Sequence, residues 1–360
     1  MEFFFTTNKD WIEKWDSFLQ ETNRGLYNQI SAWIKSYEVY GFDYEFLLAT
    51  HNNKIIGGCG IVIAKFSFLK FYIIPSGPVI SVGNDDLIEE FVVKLKNRAK
   101  EKKCCYFQIS LPYNNDNLNF CDYNLNSVSN TNSYFLGNIG VKFKYVIPLL
   151  GFRIVDLVTN NTIEKVVKNY SSNHKRNLNK ALQNNFEIKF VTALEEIKEC
   201  YNCFEMNAEE KGYPLRTFSS IKDTLIEYIN KDYAKIVSCN YNNKIIGALY
   251  LMKCGNRLTY INGGVLKEFQ HLNVSNFMHH ALIEYSLNQG YQSYDLSVGG
   301  SKGVVKFKEG FGSDLFLYTQ TRHWILKPTT FKLFTLFEKY LKPRKKQIAK
   351  ILIFLKKNKK

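Results

Sequence analysis

The chain has 360 residues, 45% of them hydrophobic and 22% charged, at a mean hydropathy of −0.24. These values exclude a disordered or fibrous chain and leave room for two globular domains, each with its own core. Of the net charge of +15, the segment from Lys327 to Lys360 carries +11 (twelve basic residues against Glu338), so the body is nearly neutral and only the tail is strongly basic.

In chain order, Met1-Glu2-Phe3-Phe4-Phe5 is apolar but short, lacks a basic start and runs into Asp10, Glu13 and Asp16. It predicts an opening strand rather than a secretory signal. Helical patterns follow near 8–20 and 29–40, then an antiparallel meander of strands at 44–50, 54–65 and 69–74. The turn Pro75-Ser76-Gly77-Pro78, a helix over about 85–102 and a strand at 106–110 complete a first unit. The Asn-dense stretch 114–138 predicts an irregular loop, because Asn side chains favour turns over ladders.

Near residue 150 the order begins again. A strand at 154–158 leads to a basic helical stretch, 165–182, holding His174-Lys175-Arg176 and Lys180. A strand at 187–191, helices near 193–211 and 218–230, and a second meander follow. The turn Ile261-Asn262-Gly263-Gly264, a helix over about 274–289 and a strand at 294–297 then close the second unit.

The hexapeptide Asn52-Asn53-Lys54-Ile55-Ile56-Gly57 returns letter for letter as Asn242 to Gly247. A match set in the same succession of meander, Gly-containing turn, helix and strand reads as one domain duplicated. Two copies are too few for a solenoid. The expected fold is α/β (α+β), with two tandem domains at 1–150 and 151–326, each a mostly antiparallel central sheet flanked by helices, and a basic tail at 327–360.

Within the tail, Phe331, Phe334, Phe337 and Leu341, then Ile348, Ile351, Leu352 and Leu355, interleave basic residues at helical spacing. A basic amphipathic helix suits an anionic membrane surface; an RNA backbone or plain solvation are the other readings. The run from Ile351 to Leu355 falls far short of the roughly 20 residues that cross a bilayer. The eight cysteines lack the paired spacing of a secreted framework, which predicts free thiols in a reducing cytoplasm. Cys200 and Cys203 form a Cys-x-x-Cys, but a zinc site takes about four ligands and His279-His280 are neighbours on different helix faces, so no metal is expected.

Three segments carry a resemblance. Trp15-Asp16-Ser17-Phe18 with Tyr27-Asn28-Gln29-Ile30-Ser31-Ala32-Trp33, the stretch Asn173 to Ala181, and Gly303-Val304-Val305-Lys306-Phe307-Lys308-Glu309-Gly310-Phe311-Gly312 occur in the order found in FemAB-like proteins, relatives of the GNAT-type N-acyltransferases. The resemblance covers residues 10 to 326. It implies two GNAT-like domains and transfer of an activated acyl group to an amine, with no permanently bound cofactor and with aminoacyl-tRNA or acyl-CoA as co-substrate. The acceptor it implies is a lipid- or nucleotide-linked cell-envelope precursor, which places the protein in the cytoplasm, peripheral to the inner face of the plasma membrane. The absent coiled-coil arm is similar to the shorter, FemX-like members, and the first domain would take the acceptor while the second carries the transfer channel.

Residue by residue, the resemblance implies that Lys308 stands in the channel, its ammonium near donor phosphates or the reacting carbonyl. Phe307 flanks it, and a solvated turn lysine is the bland alternative. Arg216 matches the position where relatives hold an acceptor pyrophosphate, for which a guanidinium fork is suited; a surface ion pair is the competing reading. Lys35 and Trp33 are acceptor-side candidates, Lys180 belongs to the basic helix, and Tyr72 lines the cleft or packs in the core. Asp295 and Glu309 are carboxylates able to take the proton an ammonium must lose before attack, Asp295 doubling as a strand-end acceptor.

Two departures stand out. Ser76 replaces the Arg of the family's usual Pro-Arg-Gly-Pro turn, and Gln270-His271-Leu272-Asn273-Val274-Ser275 lacks both glycines of the acetyl-CoA pyrophosphate loop. Three functions stay open: an aminoacyl-tRNA-dependent transferase, an acyl-CoA-dependent N-acyltransferase acting on an envelope amino sugar, and a catalytically silent double domain that binds glycan or membrane.

Overall fold

A computed structural model describes residues 1–112, 137–318 and 320–341. The first half runs β1 (Glu2–Thr6), α1 (Lys9–Glu21), α2 (Ser31–Lys35), β2 (Asp43–His51), β3 (Lys54–Phe66), β4 (Leu69–Ile74), β5 (Val79–Ile80), α3 (Leu87–Glu101), β6 (Tyr106–Leu111) and β7 (Asn138–Ile139). The second runs β8 (Gly151–Asp156), α4 (Ile163–Asn169), α5 (Ser172–Ala181), β9 (Glu187–Val191), α6 (Leu194–Lys211), α7 (Phe218–Asn230), β10 (Ala234–Tyr241), β11 (Lys244–Cys254), β12 (Arg257–Val265), α8 (Val274–Asn288), β13 (Ser293–Asp295), α9 (Lys302–Glu309) and β14 (Asp314–Leu317). Then come β15 (Gln320–Ile325) and α10 (Pro328–Leu336).

The duplication holds to the level of single residues. Each copy of the hexapeptide opens with two Asn in the left-handed region, Asn52 and Asn53 (φ 49° and 61°) and Asn242 and Asn243 (φ 50° and 60°), as a two-residue hairpin requires. Each hairpin then carries a register shift at the same place, between Ala49 and Thr50 and between Cys239 and Asn240. In both halves the meander is followed by a parallel partner, β6 on β4 and β13 on β12, reached through a helix.

The first sheet, however, takes in a strand from the end of the chain. The first is ordered β1-β2-β3-β4-β6-β15-β7, and the second β14-β8-β13-β12-β11-β10-β9. Residues 320–325, which a division at 326 assigns to the second half, pair antiparallel with β6, from Gln320↔Leu111 to Ile325↔Tyr106. α10 follows them. Phe331 stacks on Tyr106 at 4.9 Å and Phe334 packs on Phe71 at 4.6 Å, so the start of the supposed tail completes the first half's core. These two phenylalanines are 8% and 3% exposed, which removes them from the anchors expected to face a membrane. The anchors Ile348, Ile351, Leu352 and Leu355 lie outside the described residues, as does most of the Asn-dense loop.

The two halves share a core in which Trp15, Leu19, Leu26 and Ile34 meet Tyr201, Phe204, Tyr228 and Met252. Polar bonds cross it as well: Arg257 Nη2 donates to Gly25 O at 2.9 Å, and Gln20 Nε2 to Lys253 O at 3.3 Å. Separate cores lie between the first sheet and α3 and between the second sheet and α5 and α8. The basic stretch 165–182 is two helices rather than one. Tyr170 is extended (ψ 141°), and Ser171 caps α5 by accepting from His174 N.

Candidate active site between the two halves

The first motif explains how the cleft is built. Asp16, 2% exposed on α1, accepts from Ser31 N at 2.7 Å and Ser31 Oγ at 2.6 Å, while Trp15 Nε1 donates to Gln29 O at 3.0 Å. Burial raises the Asp16 carboxyl to about 6, against the two bonds from Ser31. Together these clamps fix residues 27–33 across the face of the first sheet and aim Tyr27, Asn28 and Trp33 toward the second half.

There they line a cavity of about 260 Å³ with Tyr201, Tyr250 and Arg216. The cavity shares Tyr37, Ile147 and Pro214 to Arg216 with a wider cleft of about 660 Å³, which extends to Tyr40, Lys65, Phe66 and Tyr145. Arg216 stands where the two meet. Its Nη1 donates to Ser36 Oγ at 2.7 Å, and its guanidinium lies over the rings of Tyr37 (4.8 Å) and Tyr40 (5.3 Å). A planar cation held against two rings in this way, with Nη2 making no hydrogen bond, keeps a donor for an anion.

The second half contributes an opening in its sheet. β12 and β13 pair only over Arg257↔Ser293, Leu258↔Tyr294 and Thr259↔Asp295, then part. An extra residue, Ile261, sits in β12 where the register against β11 shifts, and bulges of this kind re-aim side chains. Ile261 and Asn262 accordingly line the smaller cavity. Gly264 is needed for close approach: a Cβ there would stand 2.0 Å from Cys203 O of α6. In the first half the matching gap is filled by the chain itself, with Gly77 N donating to Ser110 O (2.9 Å) and Leu149 N to Pro75 O (3.2 Å).

Lys308 lies at the open gap, 5% exposed, on α9 rather than on a turn. Its Nζ donates to Ser297 O (3.0 Å), Ser297 Oγ (3.3 Å) and Gly299 O (3.2 Å), and sits 5.7 Å from the Tyr260 ring centroid. The loop bends around it through left-handed Ser297 (φ 56°) and Gly299 (φ 98°). Burial pulls the ammonium down to about 8; Asp295 opposes that shift and Arg153 adds to it. Asp295 is fully buried, and its Oδ1 accepts from Arg153 N (2.9 Å) and Ser297 N (2.8 Å) while Oδ2 carries no hydrogen bond. Burial raises its carboxyl, with Arg257 acting in the opposite sense. Burial first, and then Asp295, push the Tyr27 hydroxyl up.

Several expected residues lie elsewhere. Tyr72 is buried beneath α3, where its hydroxyl donates to Glu45 Oε1 at 2.8 Å, so it lines no cleft. Glu309 follows Lys308, but neighbours on a helix point about 100° apart. Its half-exposed carboxylate meets Arg153 Nη2 at 3.4 Å and borders a separate pocket of about 380 Å³ with His174 and Lys306. Phe307 borders that pocket too, packed on His174 and His279. Lys180 is exposed on α5 and lines neither cavity, while Lys35 is half-buried beside Tyr44, its Nζ 5.9 Å from the ring centroid. Trp33 and Arg216 are brought together, and Asp295 with Lys308. Tyr27, Asn28, Tyr37, Tyr201 and Tyr250 line the cleft without having been singled out, because an aromatic-rich composition carries no sign of which rings face a cavity.

Comparison with known proteins shows the same fold and the family. Aminoacyltransferase FemA of Staphylococcus aureus (strain MW2) is 23% identical over 354 residues, covering 75% of this chain and 83% of that protein. The crystal structure of FemX superposes with a TM-score of 0.73 at 15% identity, covering 92% of this chain and 99% of the other. L-PGS from Bacillus licheniformis has a TM-score of 0.52 at 14% identity over 94% and 97% of the two chains. The FemAB family profile matches residues 12–245 and 240–339, taking in both halves, the cleft between them and the returning strand; the chain belongs to the FemAB family.

Proposed function

We propose that this protein is an aminoacyltransferase that moves an amino acid from aminoacyl-tRNA to an amine of a peptidoglycan or other cell-envelope precursor at the inner face of the plasma membrane. The observation that carries the reading is a cleft between the halves that runs from the Arg216 guanidinium to Ile261 and Asn262 of β12, the strand that parts from β13 where the ammonium of Lys308 is buried. Arg216 suits an acceptor diphosphate, with Trp33 and the tyrosines walling the acceptor's reactive arm. The donor enters through the gap between β12 and β13. The missing glycines before α8 favour an aminoacyl ester over a CoA thioester.

In the reaction the amine's lone pair forms the C–N bond and the carbonyl becomes an oxyanion. The C–O bond to the ribose then breaks, and the proton lost by nitrogen ends on the departing oxygen. Lys308 stabilises the oxyanion by its charge in a site screened from water, since its three N–H donors already serve Ser297 and Gly299. Asp295 favours the charged form of Lys308 against the effect of burial.

The test is to incubate the protein with charged tRNA or acetyl-CoA and an envelope-precursor pool, and weigh the products. A gain of one aminoacyl residue that RNase abolishes supports the reading. A gain with acetyl-CoA alone replaces it with the amino-sugar N-acyltransferase, and no gain with any donor leaves the silent double domain.

A further inference from the structure

α10 is apolar on two faces. Phe331 and Phe334 turn inward onto the first sheet, yet Leu333, Leu336, Phe337 and Tyr340 turn outward, at 54%, 44%, 44% and 49% exposure. Their spacing of three, one and three residues puts them on one side of the helix and the π-helical turn that continues it, Phe337–Leu341. Ile325, 41% exposed at the end of β15, lines the groove that flanks α10. Single exposed apolar residues are ordinary, whereas a contiguous set on one ridge marks an interaction face.

The surroundings specify the partner's charge. A groove of about 610 Å³ on the flank of α10 away from Leu333 and Phe337 is edged by Lys142, Lys144, Lys332 and Lys339, of which Lys332 and Lys339 stand next to Leu336 on the helix surface. Its acid, Glu338, accepts from the Tyr145 hydroxyl. The sequence after Leu341 adds nine basic residues and no acidic one. An RNA backbone would satisfy the lysines but leave Leu333, Leu336 and Phe337 in water. An anionic bilayer satisfies both, with hydrocarbon for the ridge and headgroup phosphates for its rim.

We infer that the outward face of α10 is a docking surface for an anionic phospholipid bilayer. The docking stands independently of the chemistry assigned to the cleft. Its consequence rests on that assignment: Phe66 and Tyr145 line the wide cleft and also contact Phe334 of α10 and Glu338 of the turn that continues it, so the cleft mouth lies beside the docked helix, where a lipid-linked acceptor would be presented.

The experiment compares the full chain with Leu336→Asp/Phe337→Asp, both exposed positions, by flotation with vesicles of phosphatidylglycerol and phosphatidylcholine and of phosphatidylcholine alone. The expected result is binding to the anionic vesicles only, weakened at least about tenfold in the variant at an unchanged melting temperature. Equal binding of both forms overturns the inference and assigns any affinity to the tail charges. Loss of tRNA retention in place of vesicle binding points to RNA and overturns it. So does a parent dimer that the variant dissociates, which assigns the face to a second copy.

Discussion

Replacing Gly310 by Ala places a methyl group where the His174 ring stands. The added Cβ would lie 2.0 Å from His174 Cε1 and 2.1 Å from Nδ1. The backbone of residue 310 is right-handed helical (φ −63°, ψ −16°), so the substitution introduces no φ strain and its effect is steric alone. The ring is 5% exposed, with Phe307 at 5.2 Å and Phe311 at 4.7 Å, and any shift toward the adjoining pocket pulls its Nδ1 from Ser171 Oγ, 3.2 Å away. Overpacking of a tight core costs about 1–3 kcal/mol and the lost hydrogen bond about 1, giving a destabilisation of about 2–4 kcal/mol. Urea titration reads this as a lower midpoint at constant slope. Removing the ring in His174→Ala/Gly310→Ala restores space, so the double mutant departs from additivity by about 1 kcal/mol or more. Gly310 O also accepts from Ser171 N at 2.9 Å, so the intruding methyl moves α9, and Lys308 with it, and transfer slows by about tenfold or more. A Gly310→Ala protein within about 0.5 kcal/mol of the parent, or strict additivity in the cycle, would refute the packing argument.

Lys308→Met keeps the stem and removes the charge, and transfer is expected to fall about 100-fold or more in a single-turnover assay. Because the folded ammonium titrates at about 8 and the unfolded one near 10.5, both states hold the proton below pH 8 and the unfolded chain holds it alone between these values. The parent's stability therefore gains from this group as pH rises through that window, while its transfer rate falls above pH 8; Lys308→Met should lose both dependences, and their persistence would remove Lys308 from the site. Arg216→Lys keeps the charge but loses the planar stack on Tyr37 and Tyr40, so KM for a diphosphate-bearing acceptor is expected to rise about tenfold with kcat nearly constant. An unchanged KM in steady-state kinetics counts against the acceptor role.

Much of the molecule was readable from the chain. The strands at 44–50, 54–65 and 69–74 and the helices near 193–211 and 218–230 are set by local periodicity, and the structure has them within a residue or two. Arg216, Trp33, Asp295 and Lys308 were named from motifs and do cluster, in pairs. Tyr72 was not separable from a cleft residue, since a tyrosine hydroxyl reads the same whether it meets a ligand or, as here, Glu45. Lys308 was placed near donor phosphates or the reacting carbonyl, and nothing in the sequence shows that its donors are occupied by carbonyls eleven and nine residues away, contacts that depend on the bend at Ser297.

The duplication belongs to the sequence by itself, because two left-handed Asn followed by a strand form the same hairpin wherever they stand, without help from distant residues. The return of β15 to the first sheet, the burial of one face of α10 and the tyrosine-lined cleft were decided only by tertiary packing. A pairing such as Thr321 with Ser110 joins segments separated by more than two hundred residues, and a helix apolar on both sides takes its inner face from the sheet that it meets.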